Sequence, residues 1–391
     1  MKRIFALFLS VCLILFLFAC GKVPAEDTTP TETAAATTAA TTVPPETTVS
    51  TADTEYIPDF TAISMPLVRE ETHAQDGTLL FTYTYQNVFP MLLNPEAAEA
   101  VSLDLLNRID TSRSLAESVK SMAQTDYPNA GSGWTPYYCS VYYNTMRFDS
   151  YILSLFGDQV SYQGGTHPSR QCVSTTYDLR TGKALDFSDI LGSTENLSRL
   201  IIDALAPQAS SLYGDYETII TNRFAGEDVW TENWYLSDMG LCIFFSPYDI
   251  APYASGTIVA EIPYESLAGV FTQEYFPPAR SDFQGTLGVT FLKEADLSRF
   301  NQFAEVILDQ SGDQYLLYPD SRVYDIRIEK GSYYGSYFVP DATVFAAETI
   351  APGEGIMVQT ATDDNSINLR VSYHNGSETV SFFLLQGGGA G

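Results

Sequence analysis

Helical periodicity is confined to one part of this chain, and that limits the folds open to it. From Asn94, apolar residues recur at helical spacing as Ala97, Val101, Leu105 and Ile109, with Leu106 beside them, and continue through Leu115, Val119 and Met122. Asn94 suits a helix cap and Pro95 a first turn. Two shorter helical stretches follow, about Glu195 to Leu205 and Tyr216 to Phe224. Between them lie strand-like runs: "TLLFTYTYQNV" ahead of the first helix, then "YYCSVYYNTMRFDS", "YILSLFGDQVSY" and "QCVSTTYDLRTGKALDF" with a tight turn at Thr181-Gly182. Because strands and helices are grouped rather than strictly alternating, they predict an α+β unit with a mostly antiparallel sheet and helices packed on one face.

Past Pro277 and Pro278 the helical pattern almost vanishes. Eight short strands recur from "GTLGVTFL" to "TVSFFLLQ", separated by turn residues such as Ser311-Gly312-Asp313, Pro352-Gly353 and Asn375-Gly376. Even spacing of this kind predicts an all-β, sandwich-like C-terminal domain over 276–386, with a short disordered tail at 387–391.

The N-terminus is of another kind. Lys2 and Arg3 precede an apolar run to Phe18 that is short for a mature membrane helix, so residues 1–19 are expected to be a cleaved signal peptide. The "LFAC" ending at Cys20 resembles the lipobox of bacterial lipoproteins. That resemblance implies lipidation of Cys20; the alternative is an ordinary signal peptide that contains a cysteine. Residues 20–55 are rich in Thr, Ala and Pro, with scarcely a large apolar side chain. Such a segment cannot offset the entropy of ordering, and a disordered stalk is expected. The expected location is the cell membrane, lipid-anchored and facing outside the cytoplasm, which excludes a direct role in ATP chemistry or transcription.

Charge narrows the partners. Lys and Arg total 20 against 48 Asp and Glu, for a net charge of −28. So acidic a chain argues against nucleic acid and anionic lipid and would speed encounter with a basic partner. Cys139, Cys172 and Cys242 each sit in an apolar, strand-like run. Three buried thiols are the default, and a Cys139–Cys172 bridge is the alternative.

In the middle unit, "YQGGTHPS", "YDLRTGKALDFSDIL" and "FFSPYDIAPYASGTIVAEIPYESL" occur in that order. Together they resemble a family of extracellular domains of unknown function found in RsiV-type lysozyme-sensing anti-sigma factors and PdaC-type wall deacetylases. The matching positions are Gly164, Gly165, His167 and Pro168; Asp178, Leu179, Thr181, Gly182 and Lys183; Tyr248, Ile250, Ala251, Pro252, Tyr253 and Gly256; and Ile262, Pro263 and Tyr264. The resemblance covers roughly Tyr151 to Phe271 and, more weakly, the segment before it. It implies an α+β envelope-binding module over 56–275, with a companion unit at 56–149 and a main unit at 150–275. In the RsiV type the ligand is lysozyme. No deacetylase pattern accompanies it, since three histidines cannot assemble that metal site.

Catalytic signals are weak. His167 would need a nucleophile and an orienting acid, but no G-x-S-x-G or H-E-x-x-H stretch occurs. The glycines permit a tight turn and Pro168 stiffens its exit, so a loop or recognition role is expected. His73, His167 and His374 lie in different regions; Asp309 with Asp313, and Asp363 with Asp364, read as solvated turns. No catalytic residue, metal or cofactor is assigned.

Among 25 tyrosines, the Tyr137, Tyr138, Tyr142 and Tyr143 cluster reads as sheet packing, and a third cluster stands at Tyr333, Tyr334 and Tyr337. Tyr248 and Tyr253, flanking Pro252, read as contact residues. The expected binding site is therefore Gly164, Gly165, His167, Pro168, Tyr248, Pro252 and Tyr253. The expected function is a lipid-anchored binding protein, not an enzyme, that captures lysozyme or another basic envelope-targeting protein. The alternative is a lipoprotein that binds peptidoglycan or another wall glycan, or hydrolyses the wall.

Overall fold

The computed structural model describes residues 61–92, 94–225, 231–278, 285–308, 312–334, 337–360, 368–376 and 378–384. The signal peptide, Cys20, the stalk, the tail, Asp309, Asp363 and Asp364 lie outside the described residues, as do the side chains of Tyr333, Tyr334 and Tyr337. In chain order, β1 (Ala62–Ser64), β2 (Leu67–His73), β3 (Leu79–Gln86) and β4 (Phe89–Met91) precede α1 (Pro95–Asp126). Asn94 caps α1 by accepting from the Glu96 and Ala97 amides. The helix buries a stripe at spacings of three and four, from Ala97 through Val101, Leu105 and Ile109 to Ala123.

Four strands follow: β5 (Tyr137–Phe148), β6 (Ile152–Tyr162), β7 (Ser169–Asp178) and β8 (Lys183–Ala184). They join β2 and β3 in a six-stranded sheet ordered β2-β3-β5-β6-β7-β8, antiparallel except between β3 and β5. On one face, α1 packs on Val141, Tyr143, Leu153 and Leu155. Its C-terminal half covers Tyr83, Tyr137 and Cys139.

The other face meets a second sheet. After α2 (Phe187–Ile190), α3 (Leu197–Leu205) and α4 (Tyr216–Arg223), strands β9 (Trp234–Leu236), β10 (Gly240–Phe245) and β11 (Ile258–Pro263) pair antiparallel. Ser154 of β6 accepts from the Leu236 amide at 2.9 Å, and Phe156 stacks on Tyr235. The far side of this sheet packs with the helices around Phe187, Ile201, Leu205, Ile220, Ile243 and Phe245.

The eight expected C-terminal strands are β12 (Leu287–Phe291), β13 (Gln302–Ile307), β14 (Gln314–Pro319), β15 (Val323–Tyr334), β16 (Tyr337–Ile350), β17 (Glu354–Gln359), β18 (Asn368–His374) and β19 (Thr379–Leu384). They form a sheet ordered β12-β14-β17-β13 and a second ordered β19-β18-β15-β16-β1-β4. Both sheets feed one core through Val306, Leu317, Val358, Ile328, Phe345 and Val371. The second sheet does not follow the division expected at 275/276. Ala62, Ile63 and Ser64 pair with Ala347, Ala346 and Phe345, so a strand from the start of the α+β segment lies within it.

The chemistry of the D-L-x-T-G-K turn is now visible. The Gly182 amide donates to the Asp178 carbonyl at 2.7 Å, and Gly182 has φ +73°. A Cβ there would stand 2.6 Å from the Ala97 carbonyl oxygen, so glycine lets the turn dock on the first turn of α1. Asn94 secures the contact by donating to the Arg180 carbonyl at 2.9 Å.

The Cys139–Cys172 bridge is corrected. All three described cysteines are buried and free. Cys139 lies under α1, whereas Cys172 joins Phe244 and Cys242 on the opposite face. With β6 between their strands, the backbones stand about 10 Å apart, beyond the ~7 Å a bridge can span.

Candidate functional site

Two loops carry the residues singled out in the sequence. The first joins β6 to β7. Gly164 and Gly165 have φ +83° and +109°, in the region that favours glycine. A Cβ on Gly164 would lie 2.9 Å from the Tyr137 hydroxyl. Tyr162 donates its hydroxyl proton to the Gly165 carbonyl at 3.2 Å, which holds the turn against β6. Pro168 then leads into β7, and His167 Nδ1 lies 3.2 Å from the Pro168 carbonyl oxygen.

The second loop joins β10 to β11. The Ser246 amide donates to Asp249 Oδ2 at 3.0 Å, and the Tyr248 amide donates to the Ala251 carbonyl at 3.0 Å. Arg223 of α4 reaches the Asp249 carboxylate at 3.6 Å. Ile250 and Ala251 are buried and pin the loop to the core beneath. That anchoring turns the neighbouring tyrosines outward. Tyr248 has φ +76°, a left-handed backbone that a bulky residue rarely adopts. After Pro252, a single tight turn carries Tyr253 before Gly256 at φ +68°.

The fold brings the two loops together at their tips. The His167 ring lies 5.2 Å from that of Tyr253, and the Tyr253 ring lies 5.6 Å from that of Tyr248. All three are exposed, Tyr248 by 68% and Tyr253 by 40%. The result is a row of three rings on the surface, framed by Pro168 and Pro252. Gly164 and Gly165 are exposed beside it.

Among the described residues, no side-chain nucleophile is hydrogen-bonded to His167. Its imidazole meets the Pro168 carbonyl and the Tyr253 ring. Nearby, Asp158 is held by Arg170 at 2.6 Å, and Ser161 is paired with Ser169 inside the hairpin. The arrangement can make ring contacts and hydrogen bonds. Among the described residues, no three His, Cys, Asp or Glu side chains gather as a metal would need.

The other tyrosine cluster splits by strand alternation. Tyr137 and Tyr143 are buried toward α1, while Tyr138 and Tyr142 are half-buried on the other face. Sequence reading missed the continuation of aromatics behind the glycine pair. Trp134 stacks on Tyr137 at 5.0 Å, Tyr137 meets Tyr162 edge-on, and Tyr162 stacks on Tyr138 at 5.5 Å.

Residues 191–265 match the family model described as a protein of unknown function, DUF3298, and this segment is a DUF3298 domain. It includes the Tyr248–Tyr253 loop and ends before β12. Among solved structures, the chain is similar to a member of this family from Bacteroides fragilis. The TM-score is 0.41 at 18% identity, with 55% of this chain and 94% of that chain covered. It is also similar to a DUF3298 family protein from Pseudomonas aeruginosa, with a TM-score of 0.37 at 16% identity, covering 57% and 99%. No protein of curated function matches the chain.

Proposed function

We propose that this chain is a lipid-anchored binding protein, held outside the cytoplasm through Cys20, that captures a basic protein at the cell envelope. Lysozyme is the first candidate. The observation that carries this reading is the exposed row of His167, Tyr253 and Tyr248, set on two loops that the core fixes from below. Tyrosine and histidine rings offer rigid, amphipathic contact area at low entropy cost. The net charge of −28 adds long-range attraction for a cationic partner. A second reading rests on the same row, because adjacent rings 5.2 and 5.6 Å apart also offer a platform for the faces of wall sugars.

Calorimetric titration with a c-type lysozyme, at low and at about 0.5 M salt, separates them. Saturable binding that weakens with salt, and that Tyr253→Ala reduces, supports protein capture. Binding of peptidoglycan fragments that persists at high salt, with no lysozyme binding at either, favours the glycan reading. Unchanged lysozyme affinity in Tyr253→Ala removes the ring row from the site.

A further inference from the structure

Among the described residues, the outer edge of β7 is open over most of its length. Among the same residues, β8 pairs only with Tyr177 and Asp178, which leaves the strand from Ser169 to Thr175 without a paired strand on that side. The Leu185 amide donates to the Thr176 carbonyl at 2.8 Å, so the Thr176 main-chain groups face outward. Pairing with β6 is unbroken along β7, and main-chain groups alternate in direction along a strand. Those of Arg170, Cys172 and Ser174 therefore face outward too. Among the described residues they meet no hydrogen-bond partner.

This edge forms the floor of a groove of about 450 Å³. Arg108 and Thr111 of α1 make one wall, and Glu232 and Asn233 ahead of β9 make the other. Ser174 fixes the second wall by donating to the Trp234 carbonyl at 2.6 Å. Exposed edges are ordinarily guarded by charge, proline or a bulge. β2 carries Arg69, Glu70 and Glu71 with a bulge at Thr72/His73, and β4 has three residues with Pro90 at its centre. From Gln171 to Thr176, β7 has none of these.

The charge of the groove is one-sided. Arg108 is held by Asp104 at 2.7 Å and Arg170 by Asp158 at 2.6 Å. Asp186 and Glu232 line the groove without an ion-pair partner among the described residues. We infer that the β7 edge is a second binding surface, which takes an extended cationic peptide segment as an added strand. Main-chain hydrogen bonds to Arg170, Cys172 and Ser174 supply the attachment, and Asp186 and Glu232 select for lysine or arginine.

The test is fluorescence anisotropy of the purified protein with a labelled synthetic peptide of about six residues, alternating threonine and valine with a lysine near each end. Saturable binding is expected. N-methylation of one alternate set of peptide amides should abolish it, while methylation of the other set should be tolerated. Thr111→Trp, at an exposed position of α1, fills the groove and should weaken binding at least about tenfold with an unchanged circular dichroism spectrum. Tyr253→Ala should leave it unaltered, which separates this surface from the ring row. The inference is overturned by absence of saturable binding, by equal binding of both methylated peptides, or by full binding to Thr111→Trp. Light scattering that shows a dimer dissolved by Thr111→Trp would overturn it as well, since a second copy would then occupy the edge.

Discussion

Gln86 and Tyr143 are bonded to each other in both directions. Gln86 Nε2 donates to the Tyr143 carbonyl at 3.2 Å, and the Tyr143 amide donates to Gln86 Oε1 at 2.6 Å. Main-chain pairing of β3 with β5 ends at Thr84/Ser140, so this side chain continues the ladder where the backbones part. The same Nε2 donates to the Thr343 carbonyl of β16 at 2.8 Å, which ties the sandwich to the six-stranded α+β sheet. Gln86 is 1% exposed. Gln86→Leu leaves three main-chain groups unsatisfied where water is excluded. At about 1–3 kcal/mol for a buried orphan group, the expected loss is at least about 2 kcal/mol. Urea denaturation monitored by circular dichroism reads it, and an unmoved midpoint would show that the amide is dispensable.

The cysteines predict an alkaline limit. Burial pushes the Cys139 and Cys242 thiols up to about 12, and it raises that of Cys172 as well. A raised thiol contributes its stability in full below its unfolded value, near 9.0. As pH climbs from there toward about 12, the unfolded chain gives up protons that the folded chain keeps, and stability falls. The denaturation midpoint should decline over that window and decline less in Cys139→Ala. At about pH 8 the three thiols should resist an aromatic disulfide reagent until the protein unfolds. Added reductant should leave the midpoint in place; a reductant-dependent drop would contradict the free thiols.

Much of this architecture is legible in the residues themselves, where the signal is local. Asn94, Pro95 and the stripe from Ala97 to Ile109 announce α1, and alternation with turn residues announces β12 to β19. β1 and β4 escape notice because three residues carry no period, and β1 is held by pairing with β4 and with the distant β16. β2 escapes for another reason: as an edge strand, "LVREETH" is mostly solvated and reads as loop. The site divides the same way. Glycines and prolines mark the two loops, but the 5.2 Å approach of His167 to Tyr253 follows from packing β9 and β10 on β6 and β7. The open edge of β7 has no sequence signature, since an edge is defined by the neighbour a strand lacks.

Arg147 and Asp149 form a buried ion pair, 1% and 2% exposed, with Nε 2.7 Å from Oδ2. Asp149 also accepts from the Tyr151 and Ile152 amides and so shapes the β5–β6 turn. Arg147 donates to the Tyr264 hydroxyl at 2.8 Å and to the Tyr275 carbonyl at 2.7 Å, which gives the tyrosine of the I-P-Y segment a structural task. Removing either member strands a charge in the interior. Arg147→Met and Asp149→Asn should each cost about 3–5 kcal/mol, and the double variant clearly less than their sum. A double-mutant cycle from urea midpoints measures the coupling, and strict additivity would show that the pair does not act as a unit.

Tyr248 predicts a conflict between stability and binding. Its φ of +76° costs a non-glycine residue roughly 1–2 kcal/mol, and its ring is mostly in water, where it contributes little packing in return. Tyr248→Gly should therefore raise the melting temperature. Tyr248→Ala, which keeps the backbone penalty and loses the ring, should not. Binding should respond to the ring alone, so both variants should lose lysozyme affinity by about fivefold or more, as a contact worth over about 1 kcal/mol would require. Scanning calorimetry and titration on the same preparations separate the two effects. If the glycine variant is more stable and binds as tightly as the parent, the strained tyrosine lies outside the contact. If it is no more stable, the left-handed turn is held at no cost by the hydrogen bond from the Tyr248 amide to the Ala251 carbonyl.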